Sequence, residues 1–217
     1  MSLILQGSTS GSVTLQEPAV AGTTVLDLPA TSGNVVVDSA TQTLTNKTLT
    51  SPTIGGTPTG VGVLTSGTAA TPSAVTFVDF TSIPSWVKRI TVMFNGVSLN
   101  NTANILIQLG TASGFTSTGY ISTSNILNNS SGSSGSSSTS GFFVFDGDAS
   151  YVLHGTCVIS LVSSNSFVST HSYRVSTTQI ILGSGSVSLG DTFNSVRIIS
   201  SDNTGTFDAG TINILFE

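Results

Sequence analysis

Apolar residues along this chain fall in short runs that alternate with polar ones at a spacing of two, and no stretch longer than a turn keeps the 3.6-residue period of an amphipathic helix. Thr, Val, Ile and Phe dominate these runs, so strands are predicted nearly throughout. Val87 to Asn95 places Ile90, Val92 and Phe94 on one face and Arg89, Thr91 and Met93 on the other. That is a half-buried strand, and Asn95-Gly96 is expected to end it with a turn. Ala103 to Leu109 repeats the logic with Ile105, Ile107 and Leu109 inward, as do Cys157-Ile159-Leu161, Val196-Ile198 and Ile212-Ile214-Phe216. Val75 to Phe80 carries apolar groups at both odd and even positions, which predicts burial on two faces. With Phe142 to Phe145 and a long stretch from Tyr173 to Leu182, about eight strands are expected between residue 71 and the end, a density typical of all-β domains. An antiparallel β-sandwich of jelly-roll type is the simplest fold for residues 71–217. Asn128 to Gly141 is low-complexity Asn, Ser and Gly and is expected to be a mobile surface loop.

The front of the chain has a different grammar. Residues 1 to 70 offer only brief apolar clusters (Val25 to Leu28, Val35 to Val37, Leu44, Leu49, Ile54, Val61 to Leu64) spaced by Gly, Pro, Thr and Ser. Such a segment cannot close a core alone. It must pair with copies of itself or lie along another protein, since the alternative is a disordered linker. Three copies wound together would satisfy both backbone and side chains.

Composition narrows the function. Of the 217 residues only 7% are charged, 5 Lys and Arg against 10 Asp and Glu, giving a net charge of −5, while Ser and Thr make up roughly a third of the chain, far above ordinary usage. The cations Lys47, Lys88, Arg89, Arg174 and Arg197 are scattered, so no basic surface exists to neutralise phosphates and nucleic acid is not an expected partner. Cys157, the single cysteine, permits no internal disulfide and suits assembly in a reducing compartment. Leu3-Ile4-Leu5 is too short for the apolar region of a signal peptide, and no run approaches a membrane span, so no membrane insertion is expected.

Catalytic chemistry finds little material. His154 and His171 could in principle meet a serine and an aspartate, but no Gly-x-Ser-x-Gly elbow occurs and serines are abundant enough to make proximity coincidental. Asp146-Gly147-Asp148 resembles the opening of a calcium loop without the later oxygen ligands or the glutamate at the twelfth position, so a turn after Phe145 is expected, with ion binding at Asp146 and Asp148 left open. There is no cysteine pair for zinc and no phosphate-cradling Gly-x-x-x-x-Gly-Lys. Asn-x-Ser/Thr triplets at Asn46, Asn100 and Asn128 follow from composition alone. No catalytic residue, cofactor-binding residue, metal ligand or cofactor is therefore assigned, and a non-enzymatic role is expected. Trp86 is expected to anchor the core. Phe115, Tyr120 and Phe167 lie in turn-like contexts and are the candidates for an exposed binding surface.

Two stretches carry a more specific likeness. Gly11-Ser-Val-Thr-Leu-Gln-Glu-Pro through Val35, with Thr41-Gln-Thr-Leu-Thr-Asn-Lys-Thr-Leu-Thr-Ser-Pro-Thr-Ile54, resembles the attachment and shaft sequence of tailed-bacteriophage fibre proteins. Ile83-Pro-Ser-Trp-Val-Lys-Arg-Ile-Thr-Val-Met-Phe-Asn-Gly-Val97 and Phe207-Asp-Ala-Gly-Thr-Ile-Asn-Ile-Leu-Phe-Glu217 resemble a C-terminal domain of phage fibre-like virion proteins. The resemblance implies a homotrimeric tail fibre on the virion surface, assembled in the host bacterial cytoplasm. Residues 1–30 would dock on other virion proteins (baseplate, tail or capsid), 31–70 would form an extended intertwined shaft, and 71–217 would be a tip that engages a host cell-surface glycan or outer-membrane receptor. A fully extended shaft would reach on the order of 130 Å at about 3.3 Å per residue. Three-fold packing would also cover Phe142 to Phe145 and Val75 to Phe80 with neighbouring copies. A purely structural head fibre, decoration or adaptor protein is the alternative that the resemblance leaves open. A glycan-degrading spike would need a carboxylate cluster that the sequence does not display.

Overall fold

The computed structural model describes residues 3–6, 8–15, 48, 50, 64–129, 132–145 and 147–217, and among them there is no helix. The all-β, antiparallel expectation is met. The apolar clusters from Val25 to Val63, in the expected attachment segment and shaft, lie outside the described residues, as does Asp146.

The chain divides into two units, Met1–Thr53 and Ile54–Glu217. In the first, β1 (Leu3–Gln6) and β2 (Ser12–Leu15) form an antiparallel hairpin in which Leu3 opposes Leu15 and Gln6 opposes Ser12. Gly11, at φ +79°, supplies the left-handed step into β2.

The second unit contains β3 (Thr65–Ser66), β4 (Phe77–Phe80), β5 (Arg89–Leu99), β6 (Ile105–Thr111), β7 (Gly114–Phe115), β8 (Ile121–Asn128), β9 (Gly132–Ser138), β10 (Phe142–Val144), β11 (Leu153–Ser163), β12 (Ser166–Arg174), β13 (Gln179–Ser188), β14 (Phe193–Ser200) and β15 (Phe207–Phe216). They form two antiparallel sheets. The larger has eight strands in the order β3-β15-β5-β11-β12-β13-β8-β9; the smaller runs β10-β6-β14-β4, with β7 alongside β6. Ile90, Val92 and Phe94 of β5 and Cys157 and Ile159 of β11 line one side of a common core. Ile105, Ile107 and Leu109 of β6 and Val196 and Ile198 of β14 line the other, and all ten are at most 3% exposed. Each such side chain contributes about 1.5–3 kcal/mol by leaving water, which makes this shared layer the main source of stability.

The inward faces read from alternation are therefore correct, but four boundaries differ. In residues 71–217 twelve strands, β4 to β15, replace about eight, because several are too short or too polar to announce themselves. Asn95-Gly96 is not a turn: β5 continues to Leu99 through a bulge at Gly96, where φ is +72°. On β15, Gly210 lies opposite at φ +91°, and a Cβ there would collide with the Gly96 carbonyl. Two glycines thus let two neighbouring strands bulge together without ending either. The stretch Tyr173 to Leu182 is broken by a hairpin loop at residues 175–178, where the Ser176 hydroxyl accepts the Thr178 N–H at 3.2 Å and donates to Gln179 Oε1 at 3.1 Å.

The fourth difference is the largest. The segment expected to be a mobile loop holds β9, which pairs in unbroken register with β8, from Ser138 opposite Ser122 to Gly132 opposite Asn128. Backbone hydrogen bonds need no side chain, so serine and glycine suffice once a partner strand is in place. Phe142 and Val144 are fully buried and Phe143 is 4% exposed, covered within the chain because β10 packs against β8, β9 and β13. No neighbouring copy is needed to hide them. Val75 to Phe80 is buried on one face only: Phe80 is 8% exposed, whereas Val75 and Phe77 remain 41% and 43% exposed.

Candidate functional site

The two histidines do not meet. His171, on the inner face of β12, is buried, and its Nε2 lies 2.9 Å from the hydroxyl of Ser124 on β8, two strands away. The ring spans this gap because Gly183, on the intervening β13, leaves room where a Cβ would strike it. Ser124 also accepts the Phe145 N–H at 3.2 Å, so its hydroxyl ties β10 to the large sheet. His171 Nδ1, together with the Ser169 and Tyr173 hydroxyls two residues to either side, is buried without a hydrogen-bond partner. Burial pulls the His171 pKa down to about 4, pushes the neighbouring Cys157 thiol up to about 12, and raises the Tyr173 hydroxyl well above its usual value. All three groups are neutral at pH 7. Among the described residues the Ser124–His171 pair has no carboxylate hydrogen-bonded to its imidazole, so it lacks the third member of a catalytic triad. His154 sits across from Asn95 and accepts the Gly96 N–H on Nδ1 at 3.2 Å, which secures the β5 bulge.

Two exposed carboxylates, Asp148 and Asp202, are likewise engaged in turns. Asp148 accepts both the N–H and the hydroxyl of Ser150 on Oδ1, at 2.9 and 2.8 Å, and these bonds hold its pKa below the ordinary value. Gly147 precedes it at φ +66°, consistent with the predicted turn. Asp202 accepts the Gly205 and Thr204 N–H groups and the Ser200 hydroxyl, which hold its carboxyl far below the usual range, and Asn101 Nδ2 donates to it at 2.8 Å. This knot joins the loop after β5 to the loop after β14. Asn100, which opens one of the Asn-x-Ser/Thr triplets, accepts the Thr206 N–H at 2.9 Å in the same region. Among the described residues no three His, Cys, Asp or Glu side chains converge as a metal site would require.

Of the aromatic candidates, two are misassigned by sequence. Tyr120 and Phe167 are 1% and 2% exposed and belong to the core. The Tyr120 hydroxyl accepts the Leu109 N–H at 2.7 Å, and Phe167 packs on Phe193 at 5.4 Å between ring centres. Chain position beside a turn does not determine whether a ring points outward. Phe115 does reach the surface region, where the Arg197 guanidinium lies between the Phe115 and Phe77 rings at 4.2 and 4.1 Å and forks onto Asp79 at 2.7 and 2.8 Å. Trp86 is half-buried, packs against the core and lies 6.3 Å from the Phe216 ring.

Sequence reasoning missed the outward face of the large sheet. There β12 presents Val168, Thr170, Ser172 and Arg174; β13 presents Ile180, Leu182, Ser184 and Ser186; β8 presents Ile121, Thr123, Asn125 and Leu127. Val168, Ile180, Leu182, Leu127 and Ile121 are 39% to 77% exposed, and Arg174 is the one charge among these twelve positions. Strict alternation in Phe167 to Tyr173 was the available signal: odd positions turn inward, even ones outward.

On the opposite side of the same sheet, where β8, β9 and β13 overhang the end of β10, lies a cleft of about 320 Å³. Tyr151 and Phe145 contribute rings to its lining, and Asp148, Asn128, Gln179 and Ser134 contribute polar groups. Gln179 Nε2 donates to the Tyr151 hydroxyl at 3.4 Å. Comparison with protein-family models, with curated proteins and with solved structures returned no match.

Proposed function

We propose that the chain is a homotrimeric, non-enzymatic fibre protein of a tailed bacteriophage, with a jelly-roll-like tip that engages a host-surface glycan. Residues 1–30 dock on the particle and residues 31–63 form an intertwined shaft, which is shorter than the expected 31–70 because Thr65–Ser66 and Ala70 already pair with β15. The reading begins from the resemblance in residues 11–54, 83–97 and 207–217. The observation that carries it is the outward face of β12, β13 and β8, five exposed aliphatic side chains on a Ser/Thr background with a single charge. A surface of this kind is expected at a subunit contact, because its apolar groups gain by leaving water and few charges must be desolvated. Phe77, on the edge strand of the smaller sheet, and Val75, which bridges to Phe207, are further exposed apolar side chains on a different part of the chain. Two unlike patches on one chain are what a ring closed about a three-fold axis requires, each copy offering one patch to the other patch of the next.

Sedimentation equilibrium of the full chain at micromolar concentration tests this. A trimer is the expected result, and a monomer overturns the fibre reading. Added at saturating dose to host cells, the trimer should reduce adsorption of the parent phage; a trimer that does not compete would instead fit a structural head fibre, decoration or adaptor.

A further inference from the structure

We propose that the cleft between the β8–β9 end and the turn at Asp148 binds a neutral saccharide, with the Tyr151 ring as platform and Asp148, Gln179 and Asn128 as the groups that read its hydroxyls. This rests on the reading of the chain as a protein that contacts host glycan, and it assigns that contact to named residues. The cleft volume of about 320 Å³ lies at the lower end of the range for small-ligand sites, suited to a mono- or disaccharide. A sugar ring has an apolar C–H face and an equatorial fringe of hydroxyls, each both donor and acceptor. The cleft lining offers both chemistries, two rings together with a carboxylate, two amides and a serine hydroxyl.

The polar side is also held in place. Both bonds from Ser150 fall on Asp148 Oδ1, which leaves Oδ2 to accept from a ligand, and Gln179 is oriented by its bond to the Tyr151 hydroxyl. Charge selects the ligand class. The described lining contains no Lys, Arg or His, and Asp148 is its one ionised group, so a carboxylated or phosphorylated sugar would meet a like charge with nothing to offset it. Two other clefts lack this combination. In the one beside Ser66 and Ile214, both oxygens of Asp79 are taken by Arg197. In the one beside Lys88, the rings of Phe167 and Phe193 are 2% and 5% exposed and offer no platform.

The test is calorimetric titration of the full chain with lactose, cellobiose and diacetylchitobiose as neutral probes and with sialyllactose and digalacturonate as anionic ones. At least one neutral probe should bind with a dissociation constant in the millimolar range or tighter, and the anionic probes at least tenfold more weakly. Ser134→Trp, which fills the cleft from an exposed strand position, should weaken binding at least tenfold, and Asp148→Asn several-fold, with circular dichroism unchanged. Asp148 is fully exposed, so the second variant keeps the test valid if the first fails to fold. Absence of neutral-probe binding, equal binding of anionic probes, or binding that survives the cleft substitutions would each overturn the assignment. If the wild-type chain blocks phage adsorption and both cleft variants block it equally well, the cleft is wrong and the fibre reading stands. If the wild-type chain blocks nothing, the receptor-binding reading itself fails and a structural head fibre, decoration or adaptor remains.

Discussion

At the residue scale, the buried imidazole of His171 has the clearest consequence. Its pKa falls from 6.5 to about 4 on burial, and the titratable groups facing it, Cys157 and Tyr173, stay neutral over that range. The unfolded state therefore binds a proton that the folded state refuses between those two pH values, and stability declines as pH falls through 6.5 toward 4. Two and a half pH units correspond to about 3 kcal/mol. Urea unfolding at pH 7.0 and 4.5 should show most of this loss in the wild-type chain. A His171→Gln variant, which can still reach the Ser124 hydroxyl but cannot titrate, should show a slope flatter by about that amount. An unchanged slope would mean that another group governs acid sensitivity.

Elements add a constraint that no single residue displays. The paired bulges at Gly96 and Gly210 keep β5 and β15 hydrogen-bonded while shifting their register. Gly210→Ala must place a side chain at φ +91° and against the Gly96 backbone, so a loss of about 3 kcal/mol or more is expected from its urea midpoint. β9 leads to a different measurement. Hydrogen exchange of a peptide covering residues 132–138 should show protected amides where they bond to β8, and exchange at the rate of a free chain would refute the pairing.

These two elements also mark how far the sequence could be read. Strands such as β5 and β14 were legible because their inward residues are large and evenly spaced, as Ile90, Val92 and Phe94 are. β9 was not, because sequence signals for strands come from side chains, while Ser133 to Ser138 are held by main-chain bonds to a neighbour. Asn95-Gly96 misled for a related reason: the same backbone freedom serves a turn or a bulge, and only the strands on either side decide which. The cleft was illegible because Tyr151, Gln179 and Ser134 meet only through the packing of β8, β9 and β13 around the end of β10. The outward aliphatic face was partly legible, since the alternation in β12 predicts that Val168 points away from Phe167.

For the whole molecule, association and stability should be separable. Val168→Lys combined with Leu182→Lys puts two charges on the outward face without touching the core, so the urea stability of the subunit should move by less than about 1 kcal/mol. The same double variant should shift the sedimenting species from trimer toward monomer, and an intact trimer would remove this face from the assembly. Cys157 offers a last use. Sealed at 0% exposure beneath both layers, its thiol can meet a maleimide only when the two sheets come apart. The lone thiol is thus a built-in stopwatch for rare, complete openings, and its labelling half-life should lengthen or shorten with unfolding free energy and ignore fraying at the rim.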